Sequence, residues 1–554
     1  MENLNTLIIG YGKTGKAVQN FLKKNTDDGN ACGVNVNTYN QLKNDENNIM
    51  IYDEFLNDDD INKLNQNCEG SFFFNNNGAE YFLKNKINDV GQTVISPGIH
   101  RNNNVVLKLR QLRKPIYGEI EFAYENLMQN YYGKLNNQLN NQLNNKLYSK
   151  SNDDIFSNDS ENENKNPHIK NNKYIENINK NICSNSNIES SGITKPKIIA
   201  ITGTNGKTTA TSMCSAAMEY ANIKAFTGGN FGIPFIEGIK NYNDFILEVS
   251  SFQLEWIYKF NPDIAVLLNI QDDHLDRYEN FDEYRLTKYK IFKNHCINET
   301  AILNYQDYNV FIVKDIIGSL PILFGFNENK CNIFYKNENI YFKLKEFYDI
   351  DYKISLKDFK DKRKFVIEDM MAASGALLSF GVPLEALEQS FKEYKLLKHR
   401  VEFIGSINNI NFYDDSKATN PAAVISALES INGSAVILIL GGKDKGFNYD
   451  VLIEPVKNYV KACVLIGETA DIIYKSLNNS VELINASDMQ DAVEKAYDIA
   501  AAECGNNTLC SVLLSPASSS FDMFKDYNER GEIFKKCFGK LKETKSKKNS
   551  GAII

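Results

Sequence analysis

Along most of the chain the hydrophobic pattern switches between two periods. Short continuous apolar runs, as expected of strands buried on both faces, are followed by stretches with helical spacing. The first pair lies in 4–22, LNTLIIGYGKTGKAVQNFL: a strand, a glycine turn and an amphipathic helix. Further strands are predicted at 48–52, 93–99, 115–117, 198–201, 244–253, 263–270, 434–440, 462–467 and 511–514, with short strands and turns over 300–365. Helices are predicted at 282–294, 368–380, 383–394 and 422–428. Strands alternating with helices, each strand ending in polar residues, predict an α/β fold with parallel sheets and ligands at the carboxyl ends of the strands.

Three stretches break the pattern. Residues 25–47 are rich in Asn and Asp and longer than an ordinary connection. From 130 to 195 the composition falls to Asn, Lys, Ser and Asp, and Leu135, Leu139, Leu143 and Leu147 recur every four residues. Asn is a poor helix former, so a disordered or weakly helical insert is expected there, with a partner-docking helix as the other reading. Residues 541–554 are lysine-rich and read as a flexible, solvated tail.

The strongest chemical signal is IIAITGTNGKTTAT, residues 198–211. A strand runs into a glycine turn and a helix start, so backbone N–H groups and the positive helix end face an anion. Lys207 adds a point charge and Thr208 a hydroxyl for Mg²⁺. Ile201 stands where the general GxxxxGK[ST] pattern has its first glycine. Gly10-Tyr-Gly12-Lys-Thr-Gly15 is a second, weaker nucleotide-binding turn, and Asp53 at the next strand end is either a ribose or base acceptor or a solvated carboxylate. The backbone of Ser96-Pro97-Gly98 could approach a diphosphate. Glu248 and His274 sit at or just past strand ends and suit Mg²⁺ and substrate contacts, or else a structural cap and an exposed loop histidine. Residues 413–421, YDDSKATNP, offer an anion site or a solvated helix cap. Lys288, between Arg285 and Lys290, reads from its surroundings as a solvated lysine.

Composition narrows the class. The chain has 554 residues, too many for one core, with 42% hydrophobic and 24% charged residues. A net charge of −8 argues against general nucleic-acid or anionic-membrane binding. Ten cysteines without CxxC or CxxH spacing read as reduced thiols. With no signal-like start and no long apolar run, a cytoplasmic protein is expected.

Taken together, TGTNGKTT, GGNFGIP, LEVSSFQLE, NIQDDHLDRY, DDSKATNP, LGGKDKG and LSPASSSFDMFKDYNERG resemble the Mur ligase family. Within it DSKATNP, GYGKTG with SPGI, and SPASSSFD select the members that add D-glutamate. The resemblance implies a three-domain α/β architecture: a Rossmann-like UDP-binding domain at 1–129, an insert at 130–195, a P-loop ATPase-type domain at 196–398 and a Rossmann-like domain at 399–540 that binds D-glutamate and completes the ATP site. It implies an ATP-dependent, ADP-forming acid–amino-acid ligase that joins D-glutamate to UDP-N-acetylmuramoyl-L-alanine through an acyl phosphate, in peptidoglycan synthesis, acting as a monomer. By motif, Gly203, Thr204, Asn205, Gly206, Lys207, Thr208, Thr209, Arg400 and Asp415 would bind ATP, while Thr208, Glu248, His274 and a carbamylated Lys288 would hold Mg²⁺, in two ions. Lys207, Glu248, His274 and Lys288 would be the catalytic set. Thr14, Asp53, Ser96, Pro97, Gly98, Asn230, Ser251 and Gln253 would lie along the UDP substrate, and Lys417, Thr419, Lys445, Ser520, Phe521 and Tyr527 would form the D-glutamate pocket. Asp369 stands where the family's HNxxN-like motif places an asparagine near adenine. A sibling ligase, an NAD-linked oxidoreductase built on GYGKTG and a non-catalytic nucleotide-binding scaffold are the alternatives. The first would carry a different DSKATNP segment, the second leaves the phosphate loop unexplained, and the joint presence of Lys207, Glu248, His274 and Lys288 speaks against the third.

Overall fold

The computed structural model describes residues 5–27, 49–67, 71–150, 193–274, 276–359, 361–431, 435–503 and 509–550. Most of the 25–47 stretch and the part of the insert beyond 150 lie outside them. The chain divides into two units: 1–198 with 224–247 and 252–262, and 199–223 with 248–251 and 263–554.

The first unit is built on β1 (Asn5–Ile9), β2 (Ile49–Tyr52), β3 (Ser71–Phe74), β4 (Val90–Ile95) and β5 (Ile116–Gly118), in the order β3-β2-β1-β4-β5. Every pairing is parallel, with Ile8 opposite Ile51 on one side and Val94 on the other. The apolar runs of β1 and β2 are buried on both faces, as continuous rather than alternating hydrophobicity requires. The glycine turn after β1 is sterically fixed: Gly10 has φ +89°, and a Cβ on Gly15 would lie 2.0 Å from the Gly10 carbonyl oxygen. Only glycine lets the helix Lys13–Asp27 start so close to the strand.

Strand β6 (Lys197–Thr202) leads into the phosphate loop of the second unit, while β7 (Ala225–Gly229) and β8 (Asp244–Glu248), neighbours in a sheet, fall almost wholly in the first. In the second unit β9 (Ile264–Leu267), β10 (Thr300–Asn304), β11 (Leu320–Gly325), β12 (Ile333–Lys336), β13 (Asn339–Leu344) and β14 (Ile350–Ser355) continue from β6 in the order β14-β13-β12-β11-β10-β9-β6. The strands from β6 to β12 are parallel and the β12-β13-β14 end is antiparallel. A further sheet holds β15 (Glu402–Ile407), β16 (Ile410–Asp414), β17 (Ala435–Leu440), β18 (Val460–Leu465), β19 (Glu482–Asn485) and β20 (Cys510–Leu514). Its order is β15-β16-β20-β17-β18-β19, antiparallel only at the β15 edge. Two buried apolar clusters cover its faces, one around Phe412, Val464 and Phe534, the other around Val424, Leu438 and Leu513.

The structure changes three expectations. The helix that opens at Glu119 runs on to Lys150, into the stretch where a disordered or weakly helical insert is expected, and Leu135 on it is buried. An apolar residue every fourth position gives a helix one face to pack, and at Leu135 that outweighs the low propensity of Asn. The tail is also helical as far as Ser550 within Tyr527–Ser550, and Leu541 is buried against the last sheet. Among the described cysteines Cys214, Cys296, Cys331, Cys463 and Cys537 are free, as the reduced reading expects, but Cys510 is disulfide-bonded.

Two carboxylates at the start of the Glu119–Lys150 helix organise the first unit. Glu121 accepts the backbone N–H groups of Tyr258, Lys259 and Phe260 at 2.9, 2.7 and 3.0 Å. Glu119, fully buried, accepts the Ile236 N–H at 2.6 Å, and burial pushes its pKa up to about 7. Between the ordinary carboxyl range near 4.5 and about 7, the folded state keeps this proton and the unfolded chain has lost it. Stability therefore falls as pH rises through that window, by up to about 3 kcal/mol from this group. Urea unfolding of the Glu119→Gln variant across pH 4 to 8 is expected to show a flatter dependence than the unchanged chain; an unaltered slope counts against the raised pKa.

Candidate active site

Two glycines and one asparagine fix the turn between β6 and the helix Lys207–Tyr220. Gly206 caps the helix at φ +84° with no side-chain hydrogen bond, and a Cβ there would come within 2.3 Å of Asp369 Oδ1. A Cβ on Gly203 would meet Leu268 Cβ at 2.9 Å. Asn269, just past β9, receives the Asn205 N–H on Oδ1 at 2.8 Å and donates Nδ2 to the Asn205 carbonyl at 3.1 Å. The Thr204 hydroxyl accepts the Gln271 N–H at 3.0 Å and lies 3.0 Å from the Tyr284 hydroxyl. The loop is thus preformed, and the first N–H groups of the helix, which have no intrahelical acceptor, face the space it encloses.

Lysines converge on this turn. Lys207 Nζ donates to the carbonyls of Gly203 and Thr204, both at 2.8 Å. Lys288 Nζ donates to the same Gly203 carbonyl at 2.9 Å and lies over the Tyr284 ring. The solvated reading of Lys288 is therefore overturned: it is 1% exposed, because the helix Phe281–Tyr289 turns Tyr284, Thr287 and Lys288 inward. Burial, with Lys207 beside it, holds its pKa well below the ordinary lysine range. Lys207 is lowered too, by burial, against the attraction of Glu248 and Asp273. Lys417 Nζ lies 3.2 Å from Thr208 Oγ1 and 3.3 Å from the Tyr527 hydroxyl, and burial pushes it down to about 7, with Arg400 adding to the shift. Glu248, 2% exposed at the end of β8, attracts all three ammonium groups.

His274 has a left-handed backbone, φ +56°, and its N–H donates to the Asp273 side chain at 2.9 Å. Burial pushes its pKa down to about 4, against the pull of Asp273, so at neutral pH the ring is uncharged and able to ligate a cation. Asp273 also meets Lys445 Nζ at 3.5 Å and Asn420 Nδ2 at 3.3 Å, tying the GGKDKG and SKATNP loops to the strand end after β9. Arg530, fully buried, holds the other side of SKATNP: it donates to the Ser416 hydroxyl and carbonyl and to the carbonyls of Ser518 and Ser519 at 2.8 to 3.1 Å. Asp415 accepts from the Ser515 hydroxyl at 2.7 Å and the Val401 N–H at 3.1 Å, and burial pushes its pKa up to about 7. A cavity of about 540 Å³ beside Gly206 is lined by Asn205, Asp369, Arg400, Asp415 and Lys417 among others. Burial holds Asp369 well above the usual carboxylate range, leaving it able to donate as well as accept.

The remaining expected residues are placed as follows. Tyr527 stands beside Lys417, Ser520 is buried on the loop after β20, and Phe521 is exposed. In the first unit Asp53 is buried rather than solvated, its two oxygens accepting the N–H groups of Tyr11 and Phe55 at 2.6 and 2.9 Å. Ser96 donates to the Gly10 carbonyl at 2.9 Å, which brings the SPG turn against GYGKTG next to Thr14. Gln253 is buried and Asn230 exposed. Asn269, Asp273, Tyr284 and Arg530 are not singled out by the sequence pattern. Asn269, Asp273 and Arg530 at least stand inside recognisable motifs, whereas Tyr284 carries no signal but its place near a helix start.

Two family models match: the Mur ligase middle domain over residues 201–376 and the Mur ligase glutamate ligase domain over residues 399–514. The chain belongs to the Mur ligase family. Among its relatives is the UDP-N-acetylmuramoylalanine–D-glutamate ligase of Geotalea daltonii, 40% identical over 347 residues, 61% of this chain and 74% of that one. The enzyme of the same name from a Thermoanaerobacter species is 35% identical over 368 residues, 63% and 76% of the two chains. A pseudomurein peptide ligase type C from Methanothermus fervidus shares the fold at a TM-score of 0.50 and 14% identity, over 96% of this chain and 99% of that one.

Gly206→Ala tests the loop geometry. The added methyl would meet Asp369 at 2.3 Å in a left-handed backbone, and a strain of roughly 1–3 kcal/mol is expected to weaken ATP binding about tenfold or more. Calorimetric titration with ATP measures it, and unchanged affinity would remove this turn from the nucleotide site.

Proposed function

We propose that this chain is an ATP-dependent ligase that adds D-glutamate to UDP-N-acetylmuramoyl-L-alanine in peptidoglycan precursor synthesis. As a Mur ligase it uses ATP and Mg²⁺. The observation that carries the reaction type is the convergence of Lys207 and Lys288 on the Gly203 carbonyl, with Lys417 on Thr208. So many lysines around the carboxylates of Glu248 and Asp273 suit a polyphosphate and an acyl phosphate. The choice of D-glutamate is supported by the name its relatives bear and by the DSKATNP and SPASSSFD segments.

A carboxylate resists attack by an amine until its oxygen becomes a good leaving group, and transfer of the γ-phosphoryl group to the alanyl carboxylate achieves that. The chain's part is positioning and charge neutralisation. Gly203 to Thr209 would wrap the phosphates, with Lys207 leaving its own loop carbonyls to follow the transferred group. Arg400 and Asp415, both lining the 540 Å³ cavity, would hold the rest of ATP. Asp369, in its protonated form, could serve an adenine edge as the family's asparagine does. Lys417, Thr419, Lys445, Ser520, Phe521 and Tyr527 would receive the two carboxylates of D-glutamate, and the amine would attack from there.

Bound Mg²⁺ would neutralise phosphate oxygens as charge moves between them. Oxygen donors at Thr208 and Glu248 and the uncharged ring of His274 fit such a cation, and Lys288 as a carbamate would add a carboxylate-like ligand for a second ion. Thr14, Asp53, Ser96 to Gly98, Asn230, Ser251 and Gln253 would line the UDP-sugar substrate. The domains would be 1–129 for UDP, 196–398 for ATP and 399–540 for D-glutamate, acting as a cytoplasmic monomer. No helix among the described residues is long and apolar enough to cross a membrane.

Phosphate release from ATP with UDP-N-acetylmuramoyl-L-alanine present is expected with D-glutamate and not with L-glutamate, diaminopimelate or lysine. Release with another amine would move the chain to a sibling activity. Lys207→Ala is expected to keep its circular dichroism spectrum and lose turnover by about a hundredfold or more. Near-normal turnover in that variant would remove Lys207 from the reaction.

A further inference from the structure

The segment joining the two family-matched regions, just before β15, is held in an unusual backbone. His399 has φ +63° and Val401 φ +47°. A left-handed conformation is tolerable for histidine but strained for a β-branched residue, and it persists only where the surroundings over-determine it. Arg400, between the two, lines the nucleotide cavity, and its buried Nε has no hydrogen-bond partner among the described residues.

The turn is pinned at each peptide. The His399 N–H donates to Glu402 Oε2 at 2.9 Å, and the His399 carbonyl accepts the Lys417 N–H at 3.2 Å. The Val401 N–H donates to Asp415 at 3.1 Å, and its carbonyl accepts from Arg363 at 3.0 Å. The His399 ring is fixed by Asp414, 2.6 Å from Nδ1. Glu402 is itself held by Lys535 Nζ at 2.8 Å, which also lies 3.7 Å from Asp414. His399, Glu402 and Asp414 lie close enough together for a metal ion, yet the cation among them is the chain's own Lys535.

We infer that Glu402 and Val401 are positioning residues for ATP: the Glu402 clasp, braced by Lys535, holds the strained turn at Val401 and so aims Arg400 into the nucleotide cavity. The inference rests on the proposed ATP site. With the clasp weakened, Val401 relaxes to negative φ, Arg400 withdraws, and ATP must restore the turn at a cost in affinity. A glycine at 401 takes φ +47° without strain, whereas alanine removes the same packing and keeps the penalty.

The test is calorimetric titration of the full chain with ATP. Glu402→Gln is expected to weaken binding roughly tenfold, the strain of one such residue. Adding Val401→Gly should recover most of that loss, and adding Val401→Ala should not. Lys535→Gln, which leaves the clasp in place but unbraced, should weaken binding in the same direction and serves if Glu402→Gln does not fold. Equal affinity in both clasp variants and the unchanged chain overturns the inference and leaves the ATP site standing. Recovery by alanine as good as by glycine overturns it too, since packing and not backbone would then be the cause. If the unchanged chain binds no ATP, the functional reading falls and the inference with it.

Discussion

Positive charge packed around the Gly203 turn is the constraint on which the rest of the second unit depends. Lys207 and Lys288 share one carbonyl, Lys417 reaches Thr208 from the last sheet, and the buried carboxylate of Glu248 attracts all three. Burial lowers the pKa of all three lysines, and the attraction of Glu248 offsets that only in part, which calls for further negative charge beside them. A polyanion entering the turn supplies it. On the proposed function that polyanion is the nucleotide, whose phosphates would offset the desolvation of the buried lysines.

That arrangement requires side chains from distant parts of the chain to meet at one level. Parallel sheets provide this, because all their strands end at the same edge. Strands β6 and β9 bring Gly203 and Asn269 side by side, and β16 and β20 do the same for Asp415 and Ser515. Asp273 then bridges the two groups by holding Lys445 and Asn420. The buried Arg530 keeps the SKATNP and SPASSS loops at a fixed spacing through four hydrogen bonds.

The apolar runs made the strands legible, since both-face burial leaves little choice of element, and the phosphate loop was legible because glycine and lysine spacing mirrors its geometry. Lys288 was opaque to spacing: a lysine flanked by Arg285 and Lys290 looks solvated, and only the packing of Tyr284 and Thr287 decides which face of the short helix turns inward. Family resemblance singled it out where physics alone did not. Asn269 and Arg530 were missed for a related reason, as they act on backbone groups far away in sequence, and no local pattern records that. The helices through 130–150 and 541–550 show the opposite failure, composition pointing away from order where a single buried leucine, Leu135 or Leu541, packs each helix against the fold.

The long final helix also has a consequence for handling the protein. Lys535 is its ninth residue, and the helix runs on to Ser550, about 15 residues or roughly 22 Å further. The last turns of the helix therefore lie well along it from the turn that Lys535 braces. Trimming the chain to a point before Lys535 would remove that brace, whereas a cut within the last turns before Ser550 would leave it in place.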